Sequence, residues 1–144
     1  MIRRYGDPVR ADIRYGLRPG AYGVLLHGAD ILLTWQGDPH HEFQLPGGGI
    51  DPGEGPIQAL HREVHEETGW RITRPCRMGA FRRFTWMPEY QRWAEKIAHV
   101  YRATPTRRDG PASEPGHEPV WVPLAQAPAL LANPGDAAFV ASLL

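Results

Sequence analysis

Glu63, Glu66 and Glu67 are spaced so that a helix through them gathers three carboxylates on one face. Like charges at separations of three and four residues repel, so the segment calls for a counter-charge. A divalent cation supplies one, and hard carboxylate oxygens suit magnesium or manganese. Arg62 adjoins the cluster, and Glu54 precedes it by eight residues. Upstream lie Leu45-Pro46-Gly47-Gly48-Gly49-Ile50 and Asp51-Pro52-Gly53-Glu54-Gly55-Pro56, a turn-rich loop whose glycines let backbone approach a ligand closely. Loop, helix and acids together describe a site for a metal ion and a phosphate.

The full pattern, Gly48-x5-Glu54-x7-Arg62-Glu63-Val64-x-Glu66-Glu67-x-Gly69-Trp70, resembles a complete Nudix box, the signature of the Nudix hydrolase superfamily. The resemblance implies a mixed-sheet α/β/α sandwich. It also implies a MutT-like pyrophosphatase that cleaves the diphosphate linkage between a nucleoside diphosphate and another group, using Mg2+ or Mn2+. By position, Glu66 and Glu67 resemble the principal metal ligands, and Glu63 a further ligand or, in some members, the base. Arg62 resembles the residue that orients the acids through a bidentate contact, and Glu54 the one that buttresses them. The backbone carbonyl of Gly47 would add a metal contact. A base from outside the box would be Glu114 or Glu118, which precede Trp121.

Substrate contacts are less constrained. Tyr22, Phe43 and Tyr90 offer aromatic faces for a nucleobase, as do Phe84, Trp86 and Trp93. Arg82, Arg83 and Lys96 offer charge for distal phosphates. Pro88 and Tyr90 lie slightly beyond the positions that mark ADP-sugar and dinucleoside polyphosphate hydrolases, so neither assignment follows.

The elements that must hold this site can be read around it. Residues 21–27 form a buried-strand pattern, Gly28 to Asp30 a hairpin turn, and residues 31–35 the returning strand. Residues 42–45 make a short strand into the glycine loop. The box helix is expected from Pro56 to Thr68, stopped by Gly69, with Ile57, Leu60 and Val64 as its apolar stripe. Residues 70–84 read as a strand interrupted near Pro75, and residues 93–103 as a long buried strand. Residues 104–116 read as a mobile Pro/Gly-rich loop, residues 119–122 as a last strand, and residues 123–132 and 135–144 as helical. His40 and His41 read as an exposed loop pair, lacking further ligands at zinc spacing.

With 144 residues the chain fits one domain, residues 1–144, with residues 1–19 a basic arm, lid or edge strand. Sixteen basic and sixteen acidic residues cancel, which removes the global electrostatic case for duplex nucleic acid or a membrane surface. A small nucleotide-type substrate needs only local charge, and the chain is expected to act as a monomer or homodimer. The single Cys76 reads as a semi-buried thiol and suits a reducing cytoplasm, and no signal peptide or membrane-spanning run is evident. The alternative is a catalytically idle Nudix domain that binds nucleotide as a sensor, which the intact set of box acids disfavours. An isoprenyl diphosphate isomerase would need a cysteine–glutamate arrangement that Cys76 does not supply.

Overall fold

The computed structural model describes residues 2–144. Its strands are β1 (Arg3–Tyr5), β2 (Gly16–His27), β3 (Asp30–Gln36), β4 (Glu42–Gln44), β5 (Gly47–Gly49), β6 (Trp70–Met87), β7 (Arg92–Arg108) and β8 (His117–Pro123). Helix α1 spans Pro56–Thr68, and the short α2 (Ala127–Leu130) and α3 (Pro134–Ala141) end the chain. The strands form a mixed sheet ordered β1-β6-β7-β2-β3-β4, with β5 paired to β2 and β8 to β3. Near-continuous apolar runs in β2 and β3 reflect burial on both faces. Leu25 and Leu32 pack towards Leu60 and Val64 of α1, while Val24, Ile31 and Leu33 pack towards Leu131 and Val140. The expected α/β/α sandwich is therefore the observed one.

Several boundaries differ from the sequence reading, each for a physical reason. Residues 104–108 are strand, because β7 continues along β6 as far as Trp70↔Arg108. The rest of that segment is not a free loop. Asp109 N–H donates to the Gly69 carbonyl, and both Ser113 and Glu114 N–H donate to the Glu66 carbonyl, all at 2.8 Å. These bonds satisfy carbonyls that the end of α1 leaves unpaired. The interruption near Pro75 is a bulge within a continuous strand, with Arg74 at φ +54° and a register shift between Thr73 and Cys76. Cys76 is exposed, not semi-buried. Ile57 is 44% exposed and does not join the apolar stripe of α1, which runs through Ala59, Leu60, Val64 and Thr68. From the basic N-terminal segment, Arg3–Tyr5 pairs in parallel with β6 as an edge strand. Among the described residues no helix is long and apolar enough to cross a membrane.

Candidate active site

Helix α1 starts at Gly55, where Gln58 Oε1 accepts the Gly55 N–H at 3.2 Å and Pro56 occupies the first turn without wasting a donor. It ends at Gly69, φ +76°, where a β-carbon would stand 2.0 Å from the Gly110 carbonyl oxygen. Both backbone conformation and the docked loop thus demand glycine there. Burial of Leu60 and Val64 contributes roughly 1.5–3 kcal/mol each and fixes the rotation of the helix. That rotation presents Glu63 and Glu67 to β5.

The approach is close. A β-carbon at Gly48 would lie 2.6 Å from the Glu63 carboxylate, so any other residue there would push that carboxylate aside. Gly47 N–H donates to Glu67 Oε1 at 3.0 Å. Arg62 ties the remaining acids together. Its Nε and Nη2 donate to the two Glu54 oxygens at 2.8 Å each, and Nη1 donates to Glu63 Oε1 at 2.8 Å and Glu66 Oε2 at 3.3 Å. Nη2 also donates to the Gly49 carbonyl at 3.0 Å. The bidentate contact, with a bond from the Asp51 N–H, holds the Glu54 carboxyl down at about 2. Burial pushes Glu63 up despite Arg62, and pushes Glu67 up strongly, with neighbouring carboxylates adding to both shifts.

Two residues complete the surroundings of Glu67, and sequence reasoning missed both. His117 Nε2 stands 3.6 Å from Glu67 Oε2, and Thr34 Oγ1 is 3.1 Å from His117 Nδ1. Strand alternation in β8 and the β3–β8 pairing carried the only available signal, since Pro119 pairs with Thr34 and His117 shares its face. Of the two outside acids, Glu114 is tied through its backbone N–H to the Glu66 carbonyl at 2.8 Å, which holds its segment against the end of the box helix. Glu118 pairs in register with Trp35 and projects from the opposite face of β8 to His117. Both line a cleft of about 450 Å³ bounded by Trp35, Gly37 and residues 112–118.

The substrate-contact candidates disperse. Tyr22 lies over β5, and Phe43 packs edge-on to Trp35 at 4.9 Å as part of the core margin. Arg83 and Lys96 are cross-strand partners and share a face. Arg82 projects to the other face and pairs with Glu95 at 3.6 Å, away from that row. One face of the Tyr90 ring is covered by the Arg18 guanidinium at 4.8 Å, and the residue is otherwise exposed. His40 is half-buried and pairs with Glu89 at 2.8 Å, while His41 contacts Asp38.

The chain matches the NUDIX domain family over residues 16–143. It belongs to that family. The fold is similar to that of a NUDIX hydrolase from Nitrosomonas europaea, with TM-score 0.73 and 18% identity over 89% of this chain and 88% of that one. It is also similar to a MutT protein from Bacillus halodurans, with TM-score 0.71 and 20% identity over 86% of this chain and 80% of the other. A pyrophosphohydrolase from Bacillus subtilis matches at TM-score 0.57 and 22% identity, over 82% of this chain and 67% of that one. The family expected from the box is thus the family to which this chain belongs.

For a Nudix protein the donor set must suit a hard divalent cation. Glu54, Glu63 and Glu66 share the single guanidinium of Arg62, while Glu67 and Glu114 add charge that it does not bond. This excess of carboxylate over cation, with Glu63 and Glu67 disfavoured as anions, fits an added divalent ion. Among the described residues no three His, Cys, Asp or Glu side chains are already drawn into a coordination sphere. The donors are held by Arg62 and the β5 backbone, and an ion would gather their remaining oxygens. At Gly47 the observed link to the acids runs through its N–H.

A second perturbed carboxyl lies on the α3 face. Asp136 is 4% exposed and accepts from the Leu45 N–H at 3.4 Å. Burial pushes its carboxyl up from 3.8 to about 7, although Arg83 and Lys96 pull the other way. The folded chain therefore holds a proton at pH 4–7 that the unfolded chain has lost, so stability falls as pH rises through this window. Asp136→Asn keeps the acceptor and removes the titration. Its melting temperature relative to the parent is expected to rise between pH 4 and 7 and then level off, with a limiting gain of up to about 4 kcal/mol. Parallel melting curves across that range would show that Asp136 is not held neutral.

Proposed function

We propose that this Nudix protein hydrolyses the diphosphate linkage of a nucleotide derivative with the help of Mg2+ or Mn2+. The observation that carries the reading is the acid cluster organised by one arginine against the side-chain-free edge Gly47–Gly49. Glu63, Glu66 and Glu67 would hold the metal, which when bound neutralises phosphate oxygens and acidifies water. Arg62 keeps Glu63 and Glu66 aimed at the β5 edge, and Glu54 fixes Arg62. Gly47 N–H and His117 constrain Glu67 from its two oxygens. The lack of side chains on β5 lets a diphosphate lie directly on the backbone. Glu114 is the outside group better placed to accept the proton of the attacking water, because its backbone docks on Glu66 of the box helix while Glu118 projects from the face of β8 opposite His117.

The test is a panel of nucleoside triphosphates, nucleotide sugars and dinucleoside polyphosphates, assayed for phosphate, pyrophosphate or nucleoside monophosphate. Turnover of at least one compound is expected with magnesium or manganese, and excess EDTA should remove it entirely and reversibly. Binding without hydrolysis across the panel would favour the idle sensor. Full turnover in EDTA would refute the metal mechanism.

A further inference from the structure

The face of the sheet opposite α1 carries a row of positive charge with no counterpart in the chemistry above. Arg18 pairs in register with Lys96, and Lys96 with Arg83, on three adjacent strands. Directly paired residues share a face with β-carbons about 5 Å apart, an arrangement unfavourable for like charges. Arg10, Arg71, Arg82 and Arg107 each have a carboxylate within 4 Å. Among the described residues none stands that close to Arg18, Lys96 or Arg83. Other arginines, Arg14 and Arg92 among them, also lack a close carboxylate among the described residues, but Arg18, Lys96 and Arg83 stand in register on adjacent strands. The acids that do influence Lys96 are Glu89, already engaged by His40 at 2.8 Å, and the buried Asp136. Partial burial and the two arginines disfavour the Lys96 ammonium, as expected of a cation kept without a partner.

The row also touches the catalytic edge. A β-carbon at Gly49 would lie 3.7 Å from Arg18 Nη2, and the Gly49 carbonyl accepts from Arg62 Nη2 at 3.0 Å. Two guanidinium groups thus border one glycine, one belonging to the acid cluster and one to the cation row. Tyr90 stacks on Arg18 at 4.8 Å and steadies it. Near the row, Phe81 is buried and packed by Tyr5 and Phe139 at 5.6 and 5.8 Å.

We infer that Arg18, Lys96 and Arg83 form a subsite for phosphate groups beyond the cleaved linkage, so that the preferred substrate is phosphorylated again at its far end. This rests on the hydrolase reading and narrows it towards phosphate-ended compounds, against those ending in a neutral sugar. A chain crossing β5 at Gly48–Gly49 would place its further phosphate oxygens among three donors, the arginines binding in forked fashion and the lysine as a point charge.

Lys96→Met keeps the stem and removes the charge, and Lys96→Arg keeps the charge. The parent and both variants would be assayed on a nucleoside triphosphate, a nucleoside diphosphate joined to a neutral sugar, and one joined to a phosphorylated sugar. The ratio of kcat/KM for phosphate-ended over neutral-ended substrate is expected to fall about tenfold or more in Lys96→Met, through KM, and to recover in Lys96→Arg. Whichever phosphate-ended compound shows the drop identifies the source of the phosphate. Arg83→Gln should reproduce the fall. An unchanged ratio in both charge-removing variants overturns the subsite. Failure to turn over any of the three compounds would count against the hydrolase reading, and calorimetry with inorganic tripolyphosphate then decides the subsite separately. Affinity about tenfold weaker in Lys96→Met upholds it. Equal affinity, or no binding by the parent, overturns it.

Discussion

Replacing Glu67 by glutamine is expected to lower turnover on the order of a thousandfold or more, with the fold unchanged. Glutamine keeps the length and much the same helix propensity, and its Oε1 can still accept the Gly47 N–H now bonded at 3.0 Å. The substitution removes one full charge and a hard oxygen ligand from a set of few, and a displaced cation no longer activates water. A thousandfold corresponds to about 4 kcal/mol of transition-state stabilisation, within what a metal supplies. Stability should move the other way. Glu67 is buried and its carboxyl is raised well above the usual range, so its ionised form costs the metal-free fold stability as pH rises above 4.5. Without metal at pH 8, the variant should melt at or above the parent temperature. Added magnesium or manganese should raise the parent alone, by about 2.7 kcal/mol at a hundred times Kd. A variant that keeps more than a tenth of parental turnover would remove Glu67 from the metal site.

The box was legible because its chemistry is written in local spacing. Helix rotation places Glu63, Glu66 and Glu67 together whatever the rest of the chain does, and Pro56 and Gly69 mark the helix ends. His117 was not legible in this way, since it reaches Glu67 only through the pairing of β8 with β3. Asp136 looks like an ordinary acid in the first turn of α3, favourable for the helix dipole, and its burial depends on how α3 packs beside Leu45. The cation row requires the parallel register of β2 against β7, which no short-range pattern encodes. Arg82 and Arg83 are adjacent in sequence, yet alternation sends one to Glu95 and the other to Lys96. Ile57 shows the opposite limit, where helical periodicity suggests burial but the residue is 44% exposed.

Arg62→Lys should fall between a surface change and loss of the metal ligands, with kcat/KM reduced about 10- to 100-fold, the usual effect of disturbing a group that orients ligands. Charge is conserved, so any loss reports geometry. The guanidinium reaches Glu54 with two parallel bonds while also meeting Glu63, Glu66 and the Gly49 carbonyl. An ammonium has three donors on one atom and cannot span those positions. Glu63, partly buried against Gly48, would keep its desolvation cost and lose its bond, which should cost about 1–3 kcal/mol of stability. Glu54 supplies a signature that a general packing defect would not. Its carboxyl is held at about 2 against an ordinary 4.5, so its pairing stabilises the fold above pH 4.5 and is lost as pH falls towards 2. The melting-temperature gap between parent and Arg62→Lys should therefore be widest near neutrality and narrow below pH 4.5. If lysine preserves kcat/KM, or if the gap is constant down to pH 2, the bidentate Arg62–Glu54 contact does not organise this site.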